Sequence, residues 1–495
     1  MSTAIVEPGT SPSGQGYAAQ DRRLASNSLR FLGSVAISVG IQGPTGGILF
    51  LPALMAGIVG SQGPFAFLIA MVAMLPIAYV FGSFSREYAT AGSAYAFPGA
   101  ALKPLVGFAA CFSLLIVYIT YTSANYTGVT NTFEVLLHDQ GLPHLPWPLV
   151  ALVFFALSWY LAFRTIHFSA LLILALEGLS LLVVLVVGIV VIAKGGYHGH
   201  GLHLQPLTRH GLPFQTAMLG LVFAYTGFSG FEGAASTGEE TKLPRRNIPA
   251  AIFASLLIGG GFYTFGSFIE TIGFPNAAAL GKSEAPLQVV SAAFVAPWVG
   301  TLILVASVVS AFGAILACHN AAARLLFALG RDGFISDKLA RTHPVQRSPH
   351  IAVGAVAVLS ALGVVGLIDK QPLDIFFDQA TVGADMILCV YLIVCVAGVA
   401  LAVRRRKPLL AVVSVVGIAV LALVIRYTVY PIAQYPFNRL QIIAGALVLL
   451  GFAIPLLIPG FHRRVKASPL FTGELATAGD AGEGPETPLP AAIRS

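Results

Sequence analysis

Three acidic residues stand inside long apolar runs of the chain: Glu177, Glu232 and Asp385. An ionised group surrounded by hydrocarbon is costly, so each is a candidate site for a proton, a cation or an amine. Each also has a structural explanation. Glu232 either exchanges a proton or caps backbone donors set free beside it. Glu177, near the cytoplasmic third of its run, either takes part in coupling or bonds neighbouring helices. Asp385 lies under two turns from the start of its run at Gln379 and either does the same or reaches water. Two glycine clusters accompany these acids. Gly40, Gly43, Pro44, Gly46 and Gly47 are crowded around Thr45, and Gly227, Gly230 and Gly233 fall among Tyr225, Thr226, Phe228, Ser229 and Phe231. Proline lacks an N–H donor and glycine weakens a helix, so both clusters predict breaks. A helix that restarts after a break offers free N–H groups to a carboxylate, and one that ends there offers carbonyls to an ammonium or a sodium ion. A zwitterion would satisfy both. Ser307 and Ser310 lie one turn apart and would line a sodium site together with carbonyls of the first cluster.

The elements that position these groups must be membrane helices. The chain has 495 residues, is 56% hydrophobic and only 10% charged, and has a mean hydropathy of +0.83. Soluble domains carry about 25% charged residues. A water-soluble protein is therefore excluded, and so is disorder outside the two ends. A bilayer core of about 30 Å needs roughly 20 apolar residues per helix. Runs meeting that need are expected at 31–57, 64–84, 104–132, 147–163, 169–193, 213–236, 249–269, 286–317, 350–368, 379–402, 408–425 and 440–460. They are continuous rather than alternating, which excludes porin-type strands. The fold class expected is an all-α polytopic membrane protein of twelve helices. At 1.5 Å per residue, both glycine clusters fall near the bilayer midplane.

An even number of spans places both termini on one side. Of the 28 Lys and Arg residues, 22 fall in connectors or tails on that side and 6 on the other. The asymmetry predicts cytoplasmic termini, with residues near Arg405 and Arg463 inside and His200 outside. The net charge of +7 is thus a topology signal, and no nucleic-acid partner is expected. Residues 1–27 and 466–495 are rich in small and polar residues and are expected to be disordered cytoplasmic tails. The first thirty residues lack a signal-peptide pattern. Cys111, Cys318, Cys389 and Cys395 all lie in apolar runs and are expected to be unpaired thiols. His198, His200, His203 and His210 crowd one connector without a cysteine or acid, which reads as a solvated external loop and not a metal site. His319 is taken as a helix-end residue, and the acceptor motif at Asn125 is discarded because it lies inside a span.

Spans one and six open two five-span halves. Five is odd, so the halves are inverted: 31–193 and 213–402, followed by two further helices over 408–460. Interrupted segments at matching positions of two halves point to a binding site.

At these residues the chain resembles the amino acid–polyamine–organocation permeases. The sixth span and its exit read Phe228-Ser229-Gly230-Phe231-Glu232, then Gly238-Glu239-Glu240, then Pro244-Arg245-Arg246-Asn247-Ile248-Pro249. Gly46-Gly47-Ile48-Leu49-Phe50-Leu51-Pro52 is similar to that family's unwound first span. Ala91-Gly92-Ser93-Ala94-Tyr95, the stretch from Asn320 to Gly333, His343-Pro344 and Ser348-Pro349 fit as well. The likeness covers about 31–408. It departs at Pro44, where the family's first break usually has no proline, and at Thr226, where some members carry an aromatic gate. The resemblance implies a LeuT-type 5+5 inverted repeat and a substrate held by Gly43, Pro44, Thr45, Gly46 and Gly47 together with Tyr225 through Gly230. It implies a secondary transporter of amino acids or related amines in the cytoplasmic membrane, and the buried acids point to coupling to protons. A sodium symporter or an exchanger is the alternative, and a membrane-embedded enzyme a distant one. No nucleophile–base pair, H-E-x-x-H, G-x-S-x-G with partners or Walker motif is present, so neither an enzyme nor an ATP-driven pump is expected. No cofactor is expected.

Overall fold

The computed structural model describes residues 24–88, 90–93, 95–430, 436–457 and 461. Most of the expected tails lie outside the described residues, as do Arg22, Arg23, Arg463, Arg464, Lys466 and Arg494. Helices dominate. Among the described residues no β-strand occurs, and one isolated bridge pairs Leu29 with Thr241.

The first apolar segment is broken twice. It comprises α1 (Phe31–Gln42), α2 (Pro44–Ile48) and α3 (Leu51–Val59). There follow α4 (Gly63–Glu87), α5 (Ala96–Ala101), α6 (Pro104–Asp139), α7 (Trp147–Ala162) and α8 (Ile166–Ala193). The sixth segment is α9 (Phe214–Thr226), a break, and a 3-10 stretch, Phe231–Thr237. The rest are α10 (Pro244–Gly273), α11 (Ala277–Gly281), α12 (Pro286–Phe294), α13 (Pro297–Arg331), α14 (His350–Val365), α15 (Pro372–Arg405), α16 (Pro408–Val429) and α17 (Phe437–Leu457). Proline opens α2, α6, α10, α12, α13, α15 and α16, where its missing N–H costs nothing and its fixed φ suits the first turn. Among the described residues, eight helical stretches are long and apolar enough to cross a membrane, and α7 and α14 are shorter apolar helices. This is an all-α, multi-pass membrane protein.

Several boundaries differ from those expected, for local reasons. The run expected at 286–317 is split, because Ala296 precedes Pro297 and is forced extended (φ −167°, ψ 155°). Beyond that split α13 runs on to Arg331. It thereby carries Arg324, expected in a connector, into the interior at 1% exposure. Helix α15 starts at Pro372, seven residues before Gln379, so Asp385 lies about 20 Å along it rather than near its end. Helix α10 starts at Pro244 and reaches Gly273, enclosing Glu270.

The core is arranged around the first segment. Helix α1 packs on α8, α10, α13 and the 3-10 stretch, and is buried continuously from Ser34 to Gln42. Its small residues Ser34, Ala36, Ser38 and Gly40 let the neighbouring helices approach closely. Around it, α10 packs on α4, and α15 and α13 pack on α6. Large side chains such as Leu152, Leu182, Leu362 and Leu449 point outward on the peripheral helices, where hydrocarbon replaces water as the surroundings.

Candidate functional site

The first break is set by Gly43. Its φ of 50° is left-handed, and its N–H bonds back to Gly40 and Val39, ending α1. Pro44 then starts α2. The new N-terminus does not wait for a ligand. Thr45 N–H donates to Glu177 Oε1 at 3.4 Å, Gly46 N–H to Ser310 Oγ at 3.2 Å, and Gly47 N–H to the Gly43 carbonyl at 2.9 Å. The structure thus gathers Thr45, Gly46, Glu177 and Ser310, from three separate helices, at one point. Glu177 is 2% exposed. Its Oε2, Thr45 Oγ1, Ser307 Oγ and both polar atoms of the Gln42 side chain are buried with no hydrogen-bond partner among the described residues. Buried polar atoms are normally paired, so such a concentration is a candidate site for a polar ligand. Gly47 has a tighter constraint than Gly46. A Cβ on Gly47 would fall 2.4 Å from Tyr263 Oη, whereas one on Gly46 would meet nothing closer than 3.8 Å.

The second break follows Thr226. Gly230 has φ 109°, and a Cβ there would sit 2.2 Å from Ile41 Cγ2. Only glycine fits that backbone and that approach. The two broken segments therefore touch directly. Ser38 Oγ donates to the Phe231 carbonyl at 2.9 Å and accepts from Ala234 N–H at 2.8 Å.

Glu232 is not a loose acid. Tyr118 Oη donates to its Oε1 at 2.9 Å, Gly230 N–H to its Oε2 at 3.1 Å, and Tyr391 Oη donates to Oε2 as well. It ties the break to α6 and α15. Sequence reasoning found the acid and missed both tyrosines, whose hydroxyls in mid-span were the available signal. Beside this tie the hydroxyls of Tyr121, Tyr225 and Ser229 and Asp385 Oδ2 are buried without partners among the described residues. Tyr121 lies against Gly383 of α15, where a Cβ would fall 2.4 Å from its ring. Thr226 Oγ1 donates within its own turn, to the Phe223 carbonyl at 2.7 Å. Of the other expected residues, Phe228 packs on Tyr263, and Gly227 lies against the same ring. His319, in mid-helix rather than at an end, meets the Val353 carbonyl at 2.8 Å.

On the side of the described N-terminal residues the bundle is closed by charge. Arg324 pairs with Glu240, both 1% exposed, and its Nη1 reaches Asn320 O at 2.9 Å. Arg331 Nη1 donates to Glu239 Oε1 at 2.7 Å, which also accepts from Ala91 N–H at 3.0 Å. Burial disfavours ionised Glu239, but the Arg331 guanidinium outweighs it and holds the carboxyl below the usual carboxylate range. Gly238 is required here, since a Cβ would fall 2.6 Å from Thr90 N.

Converting Tyr391 to Phe should show what the Glu232 tie is worth. We expect a loss of about 1.5–3 kcal/mol of stability, the usual value of a hydrogen bond to a charged group. Thermal denaturation in detergent measures it, and an unchanged midpoint would mean the bond carries nothing.

A multi-pass helical protein whose two interrupted segments cross at its centre is the class defined so far. Comparison with known proteins narrows it. The family model described as amino acid permease matches residues 29–454, and the chain belongs to that family. It is accordingly a membrane transporter and not an enzyme. It is similar to the low-affinity putrescine importer PlaP of Escherichia coli (strain K12), 32% identical over 326 residues, which are 62% of this chain and 68% of the importer. It is also similar to the branched-chain amino acid permease BcaP of Bacillus subtilis (strain 168), 27% identical over 403 residues, 78% of this chain and 82% of the permease. A methylthioribose transporter of the same Bacillus strain is 24% identical over 360 residues, 69% of this chain and 74% of that protein.

Proposed function

We propose that this chain is a secondary active transporter of amino acids or related amines, driven by protons across the cytoplasmic membrane. Twelve crossings with cytoplasmic termini agree with the charge asymmetry. Two inverted five-helix halves, 31–193 and 213–402, followed by α16 and α17, account for interrupted segments at matching positions. The observation that carries the proposal is the set of unpaired polar atoms at the two crossing breaks.

The substrate lies between Gly43–Gly47 and Tyr225–Gly230. Unpaired Tyr121, Tyr225, Ser229 and Asp385 offer acceptors for an ammonium group. Among the described residues the buried helical cations are already paired, Arg324 with Glu240 and Arg331 with Glu239, so neither invites a dicarboxylate. The relatives' names, for a putrescine importer and a branched-chain amino acid permease, agree with an amine-bearing substrate.

Of the three candidate acids, Glu232 is the least suited to exchange a proton, because three donors already hold it. Glu177 is the coupling acid. One of its oxygens is free, and the other touches the backbone that moves if the first break rearranges. Protonation there would release Thr45 N–H, linking proton and substrate at one point. A sodium ion would use the same oxygens with Ser307 and Ser310, and the same experiment separates the two. Purified protein in liposomes is given a pH gradient or a sodium gradient, and uptake of labelled putrescine and leucine is followed. We expect accumulation with the pH gradient, and Glu177→Gln should lower it about tenfold or more while substrate exchange persists. Accumulation that follows sodium alone would assign the site to sodium. Full proton-driven accumulation by Glu177→Gln would remove Glu177 from coupling.

A further inference from the structure

Among the described residues, no charge or donor answers the buried Glu270. It lies one turn from the end of α10 and is 0% exposed, and neither carboxyl oxygen has a hydrogen-bond partner among the described residues. The same face of α10 locates it. Gly266 is filled against by Ile48 of α2, Ser267 lies against Gly63 at the start of α4, and Gly273 lies against Val290 of α12. Ser267 Oγ, one turn back, is also buried and unpaired. Glu270 thus sits where the second half of the first broken segment meets the α11–α12 cover. That cover lies across α3, with Gly281 next to the backbone of Ala53 and Gly57. Gln288 of α12 is held to the end of α6 by Asp139, Nε2 to Oδ1 at 2.9 Å.

The surroundings supply no counter-charge. Helices α1, α2, α3, α11 and α12 carry no charged residue. On α4 the charges Arg86 and Glu87 are at the far end. On α8, Glu177 is engaged at the first break, and Glu232 of the 3-10 stretch is held by its tyrosines. On α10 itself, Tyr263 donates to the Gln42 carbonyl, and Arg245 and Arg246 lie at the opposite end. Lys194 bonds the Phe294 carbonyl at 2.6 Å, while Lys282, Glu284, Tyr197, His198, His200 and His203 are exposed.

An ionised carboxylate without a counter-charge is strongly disfavoured in such a place, and even the neutral acid gains nothing from it. A leucine of similar size would hold this closed arrangement better. Glu270 therefore has its use in a second arrangement, and the ligand that removes its charge in this one is a proton. We propose that Glu270 is a proton-binding site that latches the α11–α12 cover over α3, closed with the proton bound and free to lift when it is lost. The sign follows from the two environments. The neutral acid suits the closed state and the carboxylate suits water, so raising pH favours the lifted cover and lowering pH closes it. One proton gives at most about a tenfold change in the closed-to-open ratio per pH unit.

The test is amide hydrogen exchange of residues 275–296 in the full-length protein in detergent, where both faces meet the same pH and no transport is needed. Failure of the coupling proposal would therefore leave this result untouched. The protein is compared with Glu270→Gln and Glu270→Asp at pH 5 and pH 8, each pair at equal pH so that intrinsic exchange chemistry cancels. At pH 8 we expect the segment to exchange about fivefold or more faster in the protein than in Glu270→Gln, and equally at pH 5. Glu270→Asp keeps a titratable group and should keep the difference. Equal exchange in the protein and Glu270→Gln at both pH values would overturn the proposal. A Glu270→Gln variant that exchanges faster at both values would also overturn it, because that is the mark of a structural role.

Discussion

Alanine at position 230 is expected to reduce uptake by about a hundredfold or more. Two separate effects converge there. The backbone at Gly230 has φ 109°, which an L side chain adopts at about 1–3 kcal/mol. The added Cβ would lie 2.2 Å from Ile41 Cγ2, 2.7 Å from Ile41 Cβ and 3.2 Å from the Ile41 backbone carbon. A flexible side-chain tip could swing away, but a backbone atom cannot, so the two segments must separate at about another 1–3 kcal/mol. Separation also draws the Gly230 N–H off Glu232. Gly354→Ala, on the peripheral α14, is the matched control, since its Cβ meets nothing within 4 Å. Uptake by purified protein in liposomes, with monodispersity in detergent as the check on folding, measures both. Normal uptake by Gly230→Ala would mean the crossing of the two breaks has no part in transport.

Removing one partner of the Arg324–Glu240 pair is expected to be the most destabilising single change of charge. Both side chains are 1% exposed, and Glu240→Gln leaves a guanidinium buried against an amide. An uncompensated buried charge of this kind costs about 3–5 kcal/mol. The bonds from Arg324 to Asn320 remain, but they neutralise nothing. Replacing both partners together, Arg324→Met with Glu240→Leu, should recover most of the loss, because packed apolar side chains substitute well for a buried pair. Thermal denaturation of Arg324→Met, Glu240→Leu and the double variant in detergent gives the coupling energy. A double variant no more stable than Glu240→Gln would show that the damage is steric and not electrostatic.

The two breaks were legible because their cause is local. Pro44 and the flanking glycines disrupt any helix, and Gly227 and Gly230 do the same among aromatic residues. The buried acids were legible because a carboxyl in hydrocarbon is rare and costly. What answers them was not. That Tyr118 and Tyr391 close on Glu232 depends on how α6 and α15 are rotated about their axes, and no periodicity in either helix reports that rotation. The remaining misses come from helix ends. Hydropathy stops at Ala317 because His319, Asn320 and Arg324 follow, yet the helix continues where Glu240 waits for the arginine. Asp374 and Asp378 similarly hid the first turns of α15, which made Asp385 look shallow. Glu270 falls one residue beyond the expected end at Ile269, so the expected span does not include it.

Ser38 carries a further consequence. One hydroxyl joins α1 to the far side of the second break, giving a bond to the Phe231 carbonyl and taking one from Ala234 N–H. Neither broken segment can swing alone without leaving a polar group bare in a dry interior. The two breaks are thereby held in one register. A serine that need never touch the cargo fixes how they face each other.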